Sequence, residues 1–404
     1  MFHKKTREFP GRIDPNEGFR DRRRRRRRRI QQRRIGALLL VAGVAVALTF
    51  GFRAVTGGET VVASTSEEVS ESIEASPTAS FPVLSSEITF PEEMRGVHMT
   101  MPMINLADKL DEFIALRKKG LNTLQIDIKD EDGRIAFTSE NLPLSQSIGS
   151  ATNFYNAEVV ADKVHAADLF LVGRIVVFQD PILARERPKL AIKQRGGGVW
   201  KTHDGLGWTN PYNETVWKYN VDVAVVAAKA GFDEIMFDYI RFPTDGNLQK
   251  ARYPGERPEP RNETIARFLA YAKKRLDPLG VKVGAAVFGL AATRNIGIGQ
   301  SPKLMARHLD VIHPMVYPQA YGSGECNVDR PSQSPGRIVN CSIQDFRQVL
   351  SGQDIKIIPW LQDYGGYTLD QIRAQVAAAA RWQTAGYLLW NGGGIYTKGA
   401  LNIR

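Results

Sequence analysis

Glu234-Ile235-Met236-Phe237-Asp238-Tyr239-Ile240-Arg241-Phe242-Pro243 reads as a β-strand. Its apolar, aromatic and β-branched residues run without a helical period, and Pro243 stops them. Ile235, Phe237 and Tyr239 fall on one face, Glu234, Met236 and Asp238 on the other. A carboxylate near the end of a buried strand is costly unless it is hydrogen-bonded, paired or used. Arg241, three residues on, is the nearest pairing charge, and a structural Asp–Arg pair is the plain alternative to a functional one.

Working outward, strands and helices alternate from Met94 onward, which predicts a parallel α/β sheet. Strands are expected at Gly96–Thr100, Thr123–Lys129, Leu171–Phe178, 234–242, Val281–Phe288, Val311–Tyr317, Lys356–Leu361 and Tyr387–Trp390. Between them the pattern predicts helices at Leu106–Lys119, Ala157–Leu169, up to Ala230 after an insertion at 179–213, Glu263–Leu276, Lys303–His308, Ile343–Leu350 and Leu369–Thr384. Eight strands with seven helices between them is the count of a (β/α)8 TIM barrel. An open doubly wound sheet is disfavoured because no Gly-rich phosphate loop follows the first strand.

In such a barrel the C-terminal ends of the strands converge on one face. Collected there are His98, Asp127, Lys129, Asp130, Asp180 with Arg174 deeper, Asp238, Arg241, His313, Tyr317, Trp360, Gln362, Asp363, Trp390 and Asn391. Two carboxyl groups across a cleft, with aromatic platforms nearby, suit glycoside cleavage: one protonates the leaving oxygen while the other attacks or activates water. Trp200, Trp208, Trp360 and Trp390 are candidate sugar-stacking surfaces, set against ordinary packing. Trp200 and Trp208 lie in a Gly-rich insertion that is expected to stay outside the core.

The formal charge of +11 is confined to one end. Residues 1–34 carry 15 Lys/Arg against four Asp/Glu, which leaves 39 of each sign in the remaining 370. The body therefore offers no basic surface for nucleic acid. An uncharged run, Ile35–Phe52, is long enough to span a bilayer, and the arginines before it place the N-terminus in the cytoplasm and the rest outside. The expected organisation is a cytoplasmic tail (1–34), a transmembrane signal anchor (35–52, with a cleaved signal peptide as rival), a flexible linker (53–90) and a barrel (91–404). Outside the cytoplasm Cys326 and Cys341 are expected to form a disulfide.

Four motifs carry a family resemblance: Asp127-Ile128-Lys129-Asp130 with Asp132-Gly133, Arg174-Ile175-Val176-Val177-Phe178 followed by Asp180-Pro181, Phe237-Asp238-Tyr239-Ile240-Arg241-Phe242-Pro243, and Pro314-Met315-Val316-Tyr317-Pro318. Together, over about residues 94–395, the chain resembles a bacterial glycoside-hydrolase-like domain family long catalogued as a domain of unknown function. The resemblance implies a barrel related to the retaining glycosidases that include the α-amylases. In that wider group the strand-four aspartate is usually the nucleophile, which falls on Asp238. The acid of amylase-like enzymes is a Glu ending strand five, where this chain has Ala286-Val287-Phe288-Gly289. The acid is therefore sought in Asp363 or Asp127, with Asp130 and Asp180 behind them.

The expected function is hydrolysis of a cell-wall or surface polysaccharide or oligosaccharide, with Asp238, Asp363 and Asp127 catalytic, Arg241 keeping Asp238 ionised, and no cofactor. A carbohydrate-binding protein on a barrel that has lost the reaction is the alternative. A metal-dependent hydrolase using His98, His313, Asp127 and Asp238 lacks any His-x-His or His-Glu-x-x-His spacing. The Asp130-Glu131-Asp132-Gly133 turn lacks the remaining ligands of a calcium loop and reads as a plain acidic turn.

Overall fold

The computed structural model describes residues 89–255 and 259–402. The tail, the apolar run and nearly all of the linker expected before the barrel lie outside these residues. Among the described residues no helix is long and apolar enough to cross a membrane.

The body is a parallel (β/α)8 barrel. Its strands are β1 (Met94–Met99), β2 (Thr123–Lys129), β3 (Phe170–Val176), β4 (Glu234–Asp238), β5 (Lys282–Phe288), β6 (Val311–Val316), β7 in two pieces (Lys356–Ile357 and Trp360–Gln362) and β8 (Gly386–Trp390). Each pairs in parallel with the next, and Met94–Val97 against Gly386–Leu389 joins first to last. Pro359, without an N–H, interrupts β7. The second piece nevertheless pairs with both β6 and β8, so closure is complete.

The outer helices are α1 (Lys109–Ile114), α2 (Ala157–His165), α3 (Pro181–Glu186), α4 (Glu214–Lys229), α5 (Arg261–Leu276), α6 (Pro302–Met305), α7 (Pro335–Val349) and α8 (Leu369–Ala380). Local chemistry starts several of them. Asn156 and Asn213 side chains accept the first free N–H groups of α2 and α4, and Thr368 with Gln371 forms a capping box on α8.

Alternation along the strands makes two cores. Leu124, Ile126, Ile128, Ile175, Ile235 and Phe237 pack outward under the helices. Phe170, Val172, Met236, Ala286, Trp360 and Leu388 fill the barrel. Two interior positions have no room for a side chain: a Cβ on Gly96 would lie 2.2 Å from Leu388 Cδ2, and one on Gly284 would lie 2.1 Å from Glu234 Oε1.

Three elements differ from expectation. β4 ends at Asp238 rather than 242, because Tyr239 adopts a left-handed φ of 52° that turns the chain out of the sheet. α7 begins at Pro335, so Cys341 lies within a helix. Its disulfide to Cys326 (Cα–Cα 5.9 Å) staples that helix to the preceding loop. Third, the Gly-rich insertion is not excluded from the core. Trp200 and Trp208 are each 1% exposed. Lys193–Gln194 pairs with Ala251–Arg252, and the Trp200 indole donates to the Asn247 carbonyl.

Candidate active site

Arg174, projecting inward from β3, is the centre of the site and is 2% exposed. Its Nε and Nη2 donate to Asp238 Oδ2 at 2.9 and 2.7 Å, and its Nη1 donates to Asp127 Oδ1 at 2.8 Å. Nη2 also reaches Glu131 Oε1 at 2.8 Å. One guanidinium thus gathers carboxyl groups from β2, from the turn after it, and from β4. Burial opposes the arginine's charge, but Glu131, Asp238 and Asp127 together raise its proton affinity well above the usual value.

The three carboxyl groups are not equivalent. Asp238 Oδ1 accepts the Tyr239 N–H at 2.7 Å, so three N–H donors address its oxygens across the left-handed turn. Such a donor set matches an ionised, acceptor-only carboxylate. Asp127 is buried more deeply, and burial raises its pKa from 3.8 to about 7; Arg174 opposes the shift, while the charges of Glu131 and Asp238 add to it. A carboxyl group that keeps its proton near neutrality beside an anionic one is the division of labour a two-carboxyl reaction needs.

His98, from β1, approaches Asp127 with Nε2 3.6 Å from Oδ2, while its Nδ1 meets Gln125 Oε1. Burial, then Arg174, lowers its pKa to about 3, so it is a neutral imidazole at physiological pH. Its ring stacks on Trp390 with centroids 4.1 Å apart, and Trp360 stands edge-on to both. Arg174 lies 5.2 Å above the same Trp390 ring. Tyr317, the residue after β6, contacts Tyr364 edge-on; burial, followed by the charges of Tyr364 and Asp238, raises its pKa.

Several expected residues have other work. Asp363 accepts the Thr397 N–H and hydroxyl at 2.9 and 2.7 Å, tying down the C-terminal segment. Asn391 donates to the Asp363 and Ile395 carbonyls, and Gln362 receives the Gln319 N–H. Lys129 does not enter the barrel. A register shift between Asp127 and Lys129 turns it outward, to Asp180 Oδ2 at 2.8 Å, Asn220 Oδ1 and the Val176 carbonyl. Asp180 caps α3 through the Leu183 N–H. Asp130 accepts the N–H groups of Asp132 and Arg134 and pairs with the Arg134 guanidinium. His313 is sealed below the site, with Nε2 2.7 Å from Glu234 Oε1 and Nδ1 on the Ile358 carbonyl.

Arg241 lies among Trp208, Tyr239 and Phe288, about 5 Å from each ring, and donates to the Phe242 carbonyl. Arg174, not Arg241, is the cation hydrogen-bonded to Asp238. Trp208 packs on that buried arginine, and both insertion tryptophans are too enclosed to offer a face to a sugar. The residue that sequence reasoning missed is Glu131. Among the described residues no group of three or more His, Cys, Asp or Glu side chains is arranged to hold a metal ion.

A parallel barrel with carboxyl groups gathered where β2 and β4 end has the architecture of the barrel glycosidases. The chain belongs to the family described as "Putative glycosyl hydrolase domain", whose model matches residues 96–396. Among solved structures, the PgaB (BpsB) glycoside hydrolase domain from Bordetella bronchiseptica is similar at TM-score 0.53 and 12% identity, over 74% of this chain and 94% of that one. The β-amylase catalytic domain from Paenibacillus polymyxa matches at TM-score 0.50 and 11% identity, over 78% and 98%. Both likenesses show the fold alone. A hypothetical protein from Ruminiclostridium thermocellum is 33% identical over 47% of this chain and 96% of its own, with TM-score 0.43. No curated protein matches the sequence.

Proposed function

We propose that the protein is a membrane-anchored, extracytoplasmic glycoside hydrolase that cleaves a cell-wall or surface polysaccharide by a two-carboxyl mechanism. Asp238 is the nucleophile or base and Asp127 the acid. The observation that carries this reading is the shared guanidinium: Arg174 fixes both carboxyl groups side by side, one addressed by three N–H donors and the other holding a proton to about pH 7.

The role of each group follows from its setting. Asp127 delivers its proton to the glycosidic oxygen, while Asp238 attacks the sugar carbon or deprotonates a water on the opposite side. Arg174 keeps the pair aligned without itself changing protonation. Trp390 alone of the four candidate tryptophans keeps partial exposure, but its ring is already engaged by His98 and Arg174, so a sugar would meet its exposed edge. The anchor rests on the apolar run Ile35–Phe52 behind its arginines.

Incubating the full-length protein with peptidoglycan and exopolysaccharide preparations, and assaying new reducing ends, tests the reading. Asp238→Asn is expected to lower turnover at least 100-fold on the scale of a lost nucleophile or base, with folding intact. Full activity in that variant overturns the assignment. Bound glycan without product in the wild-type protein favours the non-catalytic alternative, which the Ala286–Gly289 end of β5 also motivates.

A further inference from the structure

The Asp130–Arg134 turn is more heavily braced than a solvated acidic loop requires. Asp130 Oδ1 takes two backbone N–H groups, its Oδ2 takes the Arg134 side chain, and its own N–H donates to the Arg134 carbonyl. From the other side, Gln179 donates to the Glu131 carbonyl, and Gly133 lies so close to Asp180 that an added Cβ would be 2.2 Å from Oδ1. What this bracing presents is one side chain, Glu131, whose carboxylate meets the same Arg174 Nη2 that binds Asp238.

We propose that Glu131 is a positioning residue of the reacting centre: it shares Arg174 with Asp238 and thereby makes Asp127 the carboxyl group that keeps a proton. The argument is one of charge. Three ionised carboxylates around one buried guanidinium leave an excess of two negative charges in a poorly solvated space, which is expensive. Retaining one proton halves the excess, and it resides on the most deeply buried of the three. The groups facing Asp127 are His98 from β1, Arg174 from β3, Asp238 from β4, Glu131 from the turn, and the Tyr155 and Tyr396 hydroxyls. His98 is neutral, so Glu131 and Asp238 are the two negative charges acting on Asp127. Of these, Glu131 alone can be neutralised without removing the proposed nucleophile.

The inference rests on the two-carboxyl reading, but its test needs no substrate. Infrared titration of the full-length protein in detergent follows the protonated-carboxyl stretch, and Asp127→Asn identifies the Asp127 band by its loss. In Glu131→Gln the midpoint of that band is expected to fall by about 1 pH unit, the scale of removing a close like charge. Glu131→Ala should give the same downward shift. Glu131→Asp, which keeps the charge, and Asp132→Asn, which lies outside the Arg174 cluster, should stay at the wild-type midpoint. An unchanged midpoint in folded Glu131→Gln or Glu131→Ala protein overturns the proposal. Undiminished hydrolysis at neutral pH with the shift present leaves it standing and counts instead against Asp127 as the acid of the assigned reaction.

Discussion

At the scale of single residues, Asp127 makes the sharpest statement about stability. Its folded-state pKa of about 7 lies above the value near 3.9 of an unfolded chain. Between those values the native state binds more protons than the unfolded one, so this group's contribution is fully present below about pH 4 and is lost as pH rises toward 7. Asn imitates the protonated form. Asp127→Asn should therefore match the wild type in acid and exceed it at pH 8 by on the order of 2 to 4 kcal/mol, measured by urea unfolding across pH. An equal loss at both pH values would show that the carboxyl group is not held protonated. His98, neutral down to about 3, destabilises both proteins equally in acid and cancels from the comparison. Asp238 and Asp127 were legible in the sequence because each sits on the inward parity of its strand. Arg174 shares that parity with Phe170 and Val172, which was the available sign that it, rather than Arg241, would meet them. Lys129 shares the parity too, but the register shift that redirects it has no signature in the residues themselves. Glu131 was hidden because a turn of three acidic residues and a glycine reads as solvated until its bonds are seen.

At the scale of elements, all eight strands and the seven intervening helices were readable, since period-two and period-3.6 patterns survive wherever one face is buried. What was not readable depended on tertiary contact. The Gly-rich insertion folds inward because residues after β4 receive it: Ala251–Arg252 pairs with Lys193–Gln194, and Gly246 leaves room for Trp200, since a Cβ there would lie 2.7 Å from Cζ2. The start of α7 at Pro335 was obscured by the Ser/Pro/Gly-rich composition around it, although proline is well suited to a first helical turn. The Cys326–Cys341 bridge spans 15 residues between that helix and its loop, and neither cysteine is a hydrogen-bond partner of Arg174. Replacing both cysteines by serine should lower stability by about 3 kcal/mol in the chain-entropy account, with hydrolysis per folded molecule retained. A parallel loss of turnover and stability would show that the bridge also shapes the site.

At the scale of the whole molecule, the charge is unevenly distributed along the sequence. The excess of positive charge precedes the apolar run, and the body that carries the site is balanced. If the run is an anchor, the full-length protein should sediment with membranes and resist alkaline carbonate washing, while a chain lacking residues 1–53 should be released. Extraction of the full-length protein by carbonate would reject the anchor. The barrel has its own requirement. Its first strand closes on its last, and the Tyr396 hydroxyl donates to the carbonyl of His98, 298 positions earlier. A growing polypeptide therefore has no finished reaction centre until β8 and Tyr396 have left the ribosome. Any premature stop upstream of β8 yields an unclosed sheet with exposed edges, which is a target for degradation rather than a weaker enzyme.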